Sequence, residues 1–360
     1  MKKKRRRSVV KIAALIMLCA FVLLSVGFFL DIIPPLWIDK AEWLLNGGKN
    51  HNFPASLNET AKNARQKAES LGSQLQGLLW RVIRKAGFGT INTPESVVTN
   101  DLGLQVSFID VGQADCALIQ NGEHAMLIDG GNADDGPLVI DYLRNAGVTK
   151  LEYVIGTHAH EDHMGGLDSV INAMPVSEVI FPVVEGETYM YAAVKDAAIK
   201  SGATISTAST GTSYTLGDAV WTIVGCEPDN PANYNESSII IKLTYGESDF
   251  LFTGDAELVN ENALIRSGYD LDCEVLKVAH HGSLTSSGAT FLTLVSPEYA
   301  VISCGRNNDY GHPAKTVIKR LLTVNAEVYR TDTEGTVIAV TDGKAINVYA
   351  LGIDPAHISN

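Results

Sequence analysis

Cysteine is scarce in this 360-residue chain. Cys19, Cys116, Cys226, Cys273 and Cys304 are odd in number, widely spaced and without a C-x-x-C pair. That excludes a disulfide framework and a zinc knuckle, and Cys116, Cys273 and Cys304 sit in apolar, strand-like runs as small core residues. No G-x-S-x-G elbow occurs, which argues against a serine hydrolase. Basic residues are also few once the N-terminus is set aside. Lys2, Lys3, Lys4, Arg5, Arg6, Arg7 and Lys11 take seven of the 28, leaving 21 against all 41 acidic residues, a balance of −20. A domain this acidic has no general field for gathering polyanions. No internal repeat is visible.

Charge of either sign is missing from Ile12 to Leu30, and no acidic residue precedes Asp31. Nineteen uncharged residues at about 1.5 Å each are enough to cross a bilayer core of about 30 Å as a helix. Residues 1–11 read as a cytoplasmic basic tail and 12–33 as an uncleaved anchor. The run into Asp31 offers no clean small-x-small cleavage site, and Met17-Leu18 before Cys19 do not suit a lipoprotein. The positive flank places everything after Leu30 outside the cytoplasm. Residues 34–100 read as a linker around a stalk helix over about 57–86, where Leu57, Ala61, Ala64, Ala68, Leu71, Leu75, Leu78 and Val82 form a heptad seam. Its small residues, with Gly72 and Gly77, suit packing on the domain or self-association with a second copy better than a strong coiled coil.

From residue 101 to 352 the pattern changes to a single large domain. Apolar, β-branched runs predict strands at 105–111, 115–120, 124–129, 151–157, 178–182, 219–225, 237–245, 249–254, 274–279, 299–303, 326–330, 335–341 and 345–350. Helices are predicted near 137–146, 188–201, 256–267 and 313–323. Strands in two batches, each with helices, fit an α/β sandwich of two sheets with helices on the outer faces, an αββα arrangement.

Three of only nine histidines fall within six residues directly after one of these strands, in His158-Ala159-His160-Glu161-Asp162-His163. In extended chain His158 and His160 point to the same side, where both imidazoles reach one metal. Asp162 and His163 follow where the chain turns, so they face a second metal beside the first. Gly165 and Gly166 let the next helix start close against the strand ends.

This run resembles the signature of the metallo-β-lactamase superfamily of hydrolases. Phe108-Ile109-Asp110-Val111-Gly112-Gln113, Leu127-Ile128-Asp129-Gly130-Gly131, Phe252-Thr253-Gly254-Asp255, Lys277-Val278-Ala279-His280-His281-Gly282-Ser283 and Tyr310-Gly311-His312-Pro313 follow in that order. Over about residues 104–350 they resemble the C-terminal hydrolase domain of the ComEC family of DNA-uptake channels and its stand-alone membrane-anchored relatives. Ala114 stands where the family usually has a second glycine, and Cys116 where it has a small residue.

The resemblance implies two divalent metal ions, zinc or manganese, with Asp255 as the bridging carboxylate. Position alone also allows Asp255 to be an N-cap for the helix 256–267. Adjacent His280 and His281 point opposite ways in extended chain, so one joins the metal shell and the other meets the substrate. His280 is read as the ligand, with His281 as the substrate-side acid, although the assignment is reversible. His312 is the candidate for the last ligand of the second metal. Asp110 and Asp129 are candidates for orienting ligand imidazoles, Asp110 the stronger. The Gly282-Ser283 step offers free backbone N–H groups to an anionic oxygen.

One expected histidine is missing between His163 and His280, where Asn235-Glu236-Ser237-Ser238 occupies the corresponding region. Either His280 replaces it or water fills the first shell, and an oxygen-richer shell tolerates manganese or magnesium. The chemistry implied is metal-dependent hydrolysis, with Asp162 and His281 as catalytic candidates and a bridging water brought to a pKa of about 7. The leading substrate is a phosphodiester such as single-stranded DNA. A cell-wall phosphoester, a lactone, or a non-catalytic metal-binding module are the alternatives.

Overall fold

Strands that read as unbroken apolar runs do so because both of their faces are buried. The computed structural model describes residues 103–226 and 231–352. The expected basic tail, membrane span, stalk helix and linkers, and the tail after residue 352, lie outside the described residues. Among the described residues no helix is long and apolar enough to cross a membrane.

In chain order the first half runs β1 (Leu104–Phe108), β2 (Ala117–Asn121), β3 (His124–Ile128), α1 (Gly136–Asn145), β4 (Leu151–Ile155), α2 (Glu161–Met164), α3 (Leu167–Ala173), β5 (Val176–Phe181), α4 (Tyr189–Ser201) and β6 (Thr204–Thr207). The second half runs β7 (Ser213–Leu216), β8 (Ala219–Gly225), β9 (Ile240–Tyr245), β10 (Ser248–Phe252), α5 (Leu258–Ser267), β11 (Val275–Lys277), α6 (Ala289–Val295), β12 (Tyr299–Ile302), α7 (Lys315–Thr323), β13 (Glu327–Arg330), α8 (Thr331–Glu334), β14 (Val337–Thr341) and β15 (Ile346–Ala350). One sheet has the order β15-β14-β1-β2-β3-β4-β5-β6 and the other β13-β12-β11-β10-β9-β8-β7. Helices alternate with parallel strands in β3 to β6 and β10 to β13, where the sequence predicts strands first and helices after.

Side-chain alternation assigns each strand to two cores at once. Val106, Phe108, Ile119, Met126, Trp221, Ile241, Phe250 and Phe252 meet between the sheets. Their neighbours Leu118 and Leu127 face Val139, Leu143, Val170 and Val194 of the helices on one outside. Leu251 and Leu276 face Leu264, Phe291, Leu292 and Val317 on the other. The result is the four-layer αββα sandwich. The helix expected after Gly165 and Gly166 is α3, while strands β6 and β7 and the short helices α2, α6 and α8 are absent from the sequence reading. β6 and β7 are rich in Ser and Thr and mostly exposed, so they carry no apolar run.

Candidate metal centre

The parallel strands deliver the chemistry from their C-terminal ends. Asp129 follows β3, His158 follows β4, Asp255 follows β10, His280 and His281 follow β11, and His312 lies between β12 and α7. The metal loop is clamped on the exit of β3, with the Gly130 N–H donating to the His163 carbonyl at 2.7 Å. Gly165 and Gly166 are required for that approach: a Cβ on either would collide with the backbone of Asn132 and Ala133 or with the Gly130 carbonyl.

Two groups of ligand-type atoms meet at Asp255, and a third, of Asp115, Asp129 and His163, lies beside them. His158, His160 and Asp255 form one of the two, and Asp162, His163, Asp255 and His281 the other. His158 Nε2 lies 3.0 Å from His160 Nδ1 and 3.8 Å from Asp255 Oδ2. The other oxygen, Asp255 Oδ1, lies 3.2 Å from His163 Nε2 and 3.7 Å from His281 Nε2, which is 3.3 Å from Asp162 Oδ2. Asp255 therefore faces both groups, one oxygen to each. It does not cap α5: Glu257 occupies the N-cap, its backbone N–H donating to Asn260 Oδ1 at 3.0 Å.

Buried partners fix the rings. Asp129 Oδ2 is 2.8 Å from His163 Nδ1 and also accepts from the Thr157 hydroxyl at 2.8 Å. His281 Nδ1 donates to the Ser303 carbonyl at 3.0 Å and lies 3.4 Å from Asp115 Oδ1, while Asp115 Oδ2 accepts from Lys277 Nζ at 2.7 Å. A ring whose Nδ1 is held this way offers Nε2 outward as a lone pair. Burial alone would raise the Asp255 carboxyl, but His163 and His281 beside it hold it well below the usual carboxylate range. Burial likewise disfavours imidazolium at His281, yet Asp255 and Asp115 push it up to about 10. His158 is held well below its usual value by burial and by neighbouring His163.

Several sequence expectations change here. The segment after Ala279 is not extended: His280 and His281 have φ of 51° and 52°, in the left-handed region. Alternation therefore does not apply to the pair, and His281 turns into the group with Asp162, His163 and Asp255. His280 Nε2 is 3.7 Å from Asp255 Oδ2 and 3.3 Å from Asn235 Nδ2, on the side where the expected histidine is missing. The structure does not bring His312 into either group; its ring centroid is 5.6 Å from that of His280 and 6.2 Å from that of His281. Burial, then the His281 and His280 charges, lower it to about 4. The Ser283 N–H donates to the His280 carbonyl at 2.7 Å and is not a free donor for an anion. Asp129 and Asp115 are carboxylates seen against ligand imidazoles, and Asp110 Oδ1 accepts from the Gly112 N–H at 3.2 Å.

Sequence reasoning missed Asp115 and Lys277. Both are charged residues inside apolar surroundings, Asp115 beside Ala114 and Cys116 and Lys277 between Leu276 and Val278, and a buried charge needs a partner.

The donor set fits divalent cations. His163 Nε2, His281 Nε2 and Asp255 Oδ1 are buried without a hydrogen-bond partner, although they converge. Such orphaned groups are costly unless an ion satisfies them. The metal-free centre instead keeps protons on His281 and His163, both of which titrate above their usual range. Metal must displace those protons, whereas Asp255 and Asp162 are already ionised. Affinity is thus expected to rise with pH between 6 and 8.5, about tenfold per unit for each proton released. Calorimetry in two buffers of different ionisation enthalpy checks this; affinity flat with pH and no buffer-dependent heat would contradict it.

Residues 109–306 match the model of the metallo-beta-lactamase superfamily. Among curated proteins the chain is 29% identical over 253 residues to ComE operon protein 3 of Bacillus subtilis, with 65% of this chain and 32% of that protein covered. It is 30% identical to competence protein ComA of Neisseria gonorrhoeae, covering 71% and 34%, and 32% identical to recombination protein 2 of Haemophilus influenzae, covering 65% and 28%. The chain spans about a third of the length of these relatives.

Proposed function

Because the chain belongs to the metallo-beta-lactamase superfamily of hydrolases, we propose that it is a two-metal phosphodiesterase acting on single-stranded nucleic acid. The observation that carries this reading is Asp255, whose two oxygens face two separate ligand groups. A binding module that holds one ion has no use for such a carboxylate. His158 and His160 would hold one ion and Asp162, His163 and His281 the other, with zinc or manganese as the candidates. Two cations held there supply an activated water at neutral pH and polarise a phosphoryl oxygen.

The chain's own residues do the rest. Asp129 and Asp115 hold the His163 and His281 rings so that Nε2 faces inward. His280, by its place beside Asp255 Oδ2 and Asn235, supports the poorer of the two groups. His312 exchanges roles with His281: it lies outside both groups and stays neutral at pH 7, with Nδ1 3.4 Å from Gln113 Nε2. That leaves Nε2 to donate a hydrogen bond to the substrate. A competence protein and a recombination protein among the relatives favour nucleic acid over a cell-wall phosphoester or a lactone.

The test is hydrolysis by the full chain of single-stranded DNA, bis-p-nitrophenyl phosphate and a lactone, with zinc, manganese and magnesium in turn. Cleavage of both phosphodiesters, lost on chelation and restored by one metal, is the expected result. Turnover of the lactone alone would overturn it. The basic block and the uncharged span of Ile12–Leu30 support anchoring, with the catalytic domain outside the cytoplasmic membrane. A C-terminal reporter that works only outside the cytoplasm should be active, and activity of a cytoplasm-only reporter would refute the topology.

A further inference from the structure

An acidic enzyme that acts on a polyanion needs a source of affinity other than its overall field. The chain beyond its N-terminal basic block carries 21 basic against 41 acidic residues, so long-range attraction does not gather a nucleic acid strand. Aromatic stacking is the other general source, because every base presents a π-face whatever its sequence.

Tyr310 offers such a face beside the metal centre. It is 74% exposed, among the most exposed large side chains described, and burial in the fold does not account for it. Its ring lies on His312, with centroids 5.7 Å apart and planes 22° from parallel. His312 in turn lies 6.2 Å from His281 with planes 24° apart. Three rings therefore step from solvent down to the ligand group that contains Asp162, His163 and Asp255. The loop that carries Tyr310 and His312 is pinned. Asn308 accepts from the His312 N–H at 3.0 Å and donates to the Gly305 and His312 carbonyls, and Gln113 Oε1 accepts from the Gly305 N–H at 2.9 Å. A platform held this way loses little freedom when a ring settles on it.

We infer that Tyr310 is a base-stacking platform: a nucleobase of a single-stranded nucleic acid lies on its open face while the adjoining backbone reaches the metal ligands. This rests on the phosphodiesterase reading for the identity of the strand and adds how the strand is recognised. On this reading a flexible strand is favoured over a duplex, whose bases are already stacked on one another.

The test compares binding of oligothymidylate with a strand of equal length built from abasic tetrahydrofuran units. Both carry phosphorothioate linkages that resist hydrolysis, and the full metal-loaded chain is used at fixed salt. The unsubstituted protein should prefer the strand with bases. Tyr310→Ala should weaken that strand by about tenfold or more and abolish the preference. Tyr310→Phe should keep the preference, and both variants should keep full metal content. Equal affinity for the two strands in the unsubstituted protein, or a preference that survives Tyr310→Ala, would overturn the platform. Hydrolysis of unmodified strands separates the two readings. No cleavage alongside a Tyr310-dependent preference defeats the phosphodiesterase and leaves the platform standing. Cleavage with a preference indifferent to Tyr310 does the reverse.

Discussion

Asp255→Asn is expected to lower metal content and turnover together, with a loss of rate of about 10³-fold, the equivalent of several kcal/mol. One carboxylate serves two ligand groups, so its conversion to an amide removes a negative charge that both groups share and the oxygen that faces one of them. The amide NH₂ would also face imidazole nitrogens that, with metal bound, are lone pairs. The backbone does not depend on the carboxylate: the Asp255 N–H donates to Ser238 Oγ at 3.0 Å, a bond that the substitution does not touch. Circular dichroism should therefore be unchanged while metal analysis after gel filtration shows the deficit. Stoichiometric metal with a rate within a few-fold would sink the shared-ligand assignment. His281→Ala should behave like Asp255→Asn and lose metal, whereas the sequence reading, which made His281 the substrate-side acid, expects full metal content from it.

Lys277→Met is expected to destabilise the metal-free protein by about 3–5 kcal/mol, the usual effect of removing one partner from a buried ion pair. Lys277 and Asp115 each have a side chain only 5% exposed, so bulk solvent does not screen the pair. Burial by itself raises the Asp115 carboxyl, and it is Lys277, followed by His281, that keeps it ionised. With Lys277 gone, Asp115 either takes up a proton or keeps only the lesser charges of His281, whose Nδ1 is 3.4 Å away, and of His163. Bound cations compensate part of that negative charge, so the loss should shrink on metal loading. Denaturant unfolding with and without metal measures both numbers. The double variant Asp115→Asn/Lys277→Met should recover part of the loss. A loss below 1 kcal/mol in the metal-free state would show that the pair contributes little.

What was legible in the sequence follows local physics. β4 is apolar, β-branched and followed at once by His158, so strand and ligand loop announce themselves together. Buried strands such as β10 and β11 read correctly because each of their faces meets a core. The edge strand Thr204–Thr207 does not, since nothing covers most of it and its sequence is that of a loop. At the centre, residue types were readable and directions were not. The extended-chain rule fails at His280 and His281 because both adopt left-handed backbone angles that non-glycine residues seldom take. Asp115 and Lys277 meet across 162 positions of chain, and no local pattern reports a pairing of that span.

The ligands come from opposite sheets, and this sets an order of events. His158, His160, Asp162 and His163 leave the first sheet after β4, while Asp255 and His281 leave the second after β10 and β11. A nascent chain that has completed only its first half holds a bare histidine loop with no carboxylate from the other side. Tight, geometry-selective capture of an ion then waits until the second sheet has docked. The ion is chosen by a finished pocket and not by whichever metal clings best to an unfolded peptide. Cargo loaded that late reflects the compartment in which the domain completes its folding.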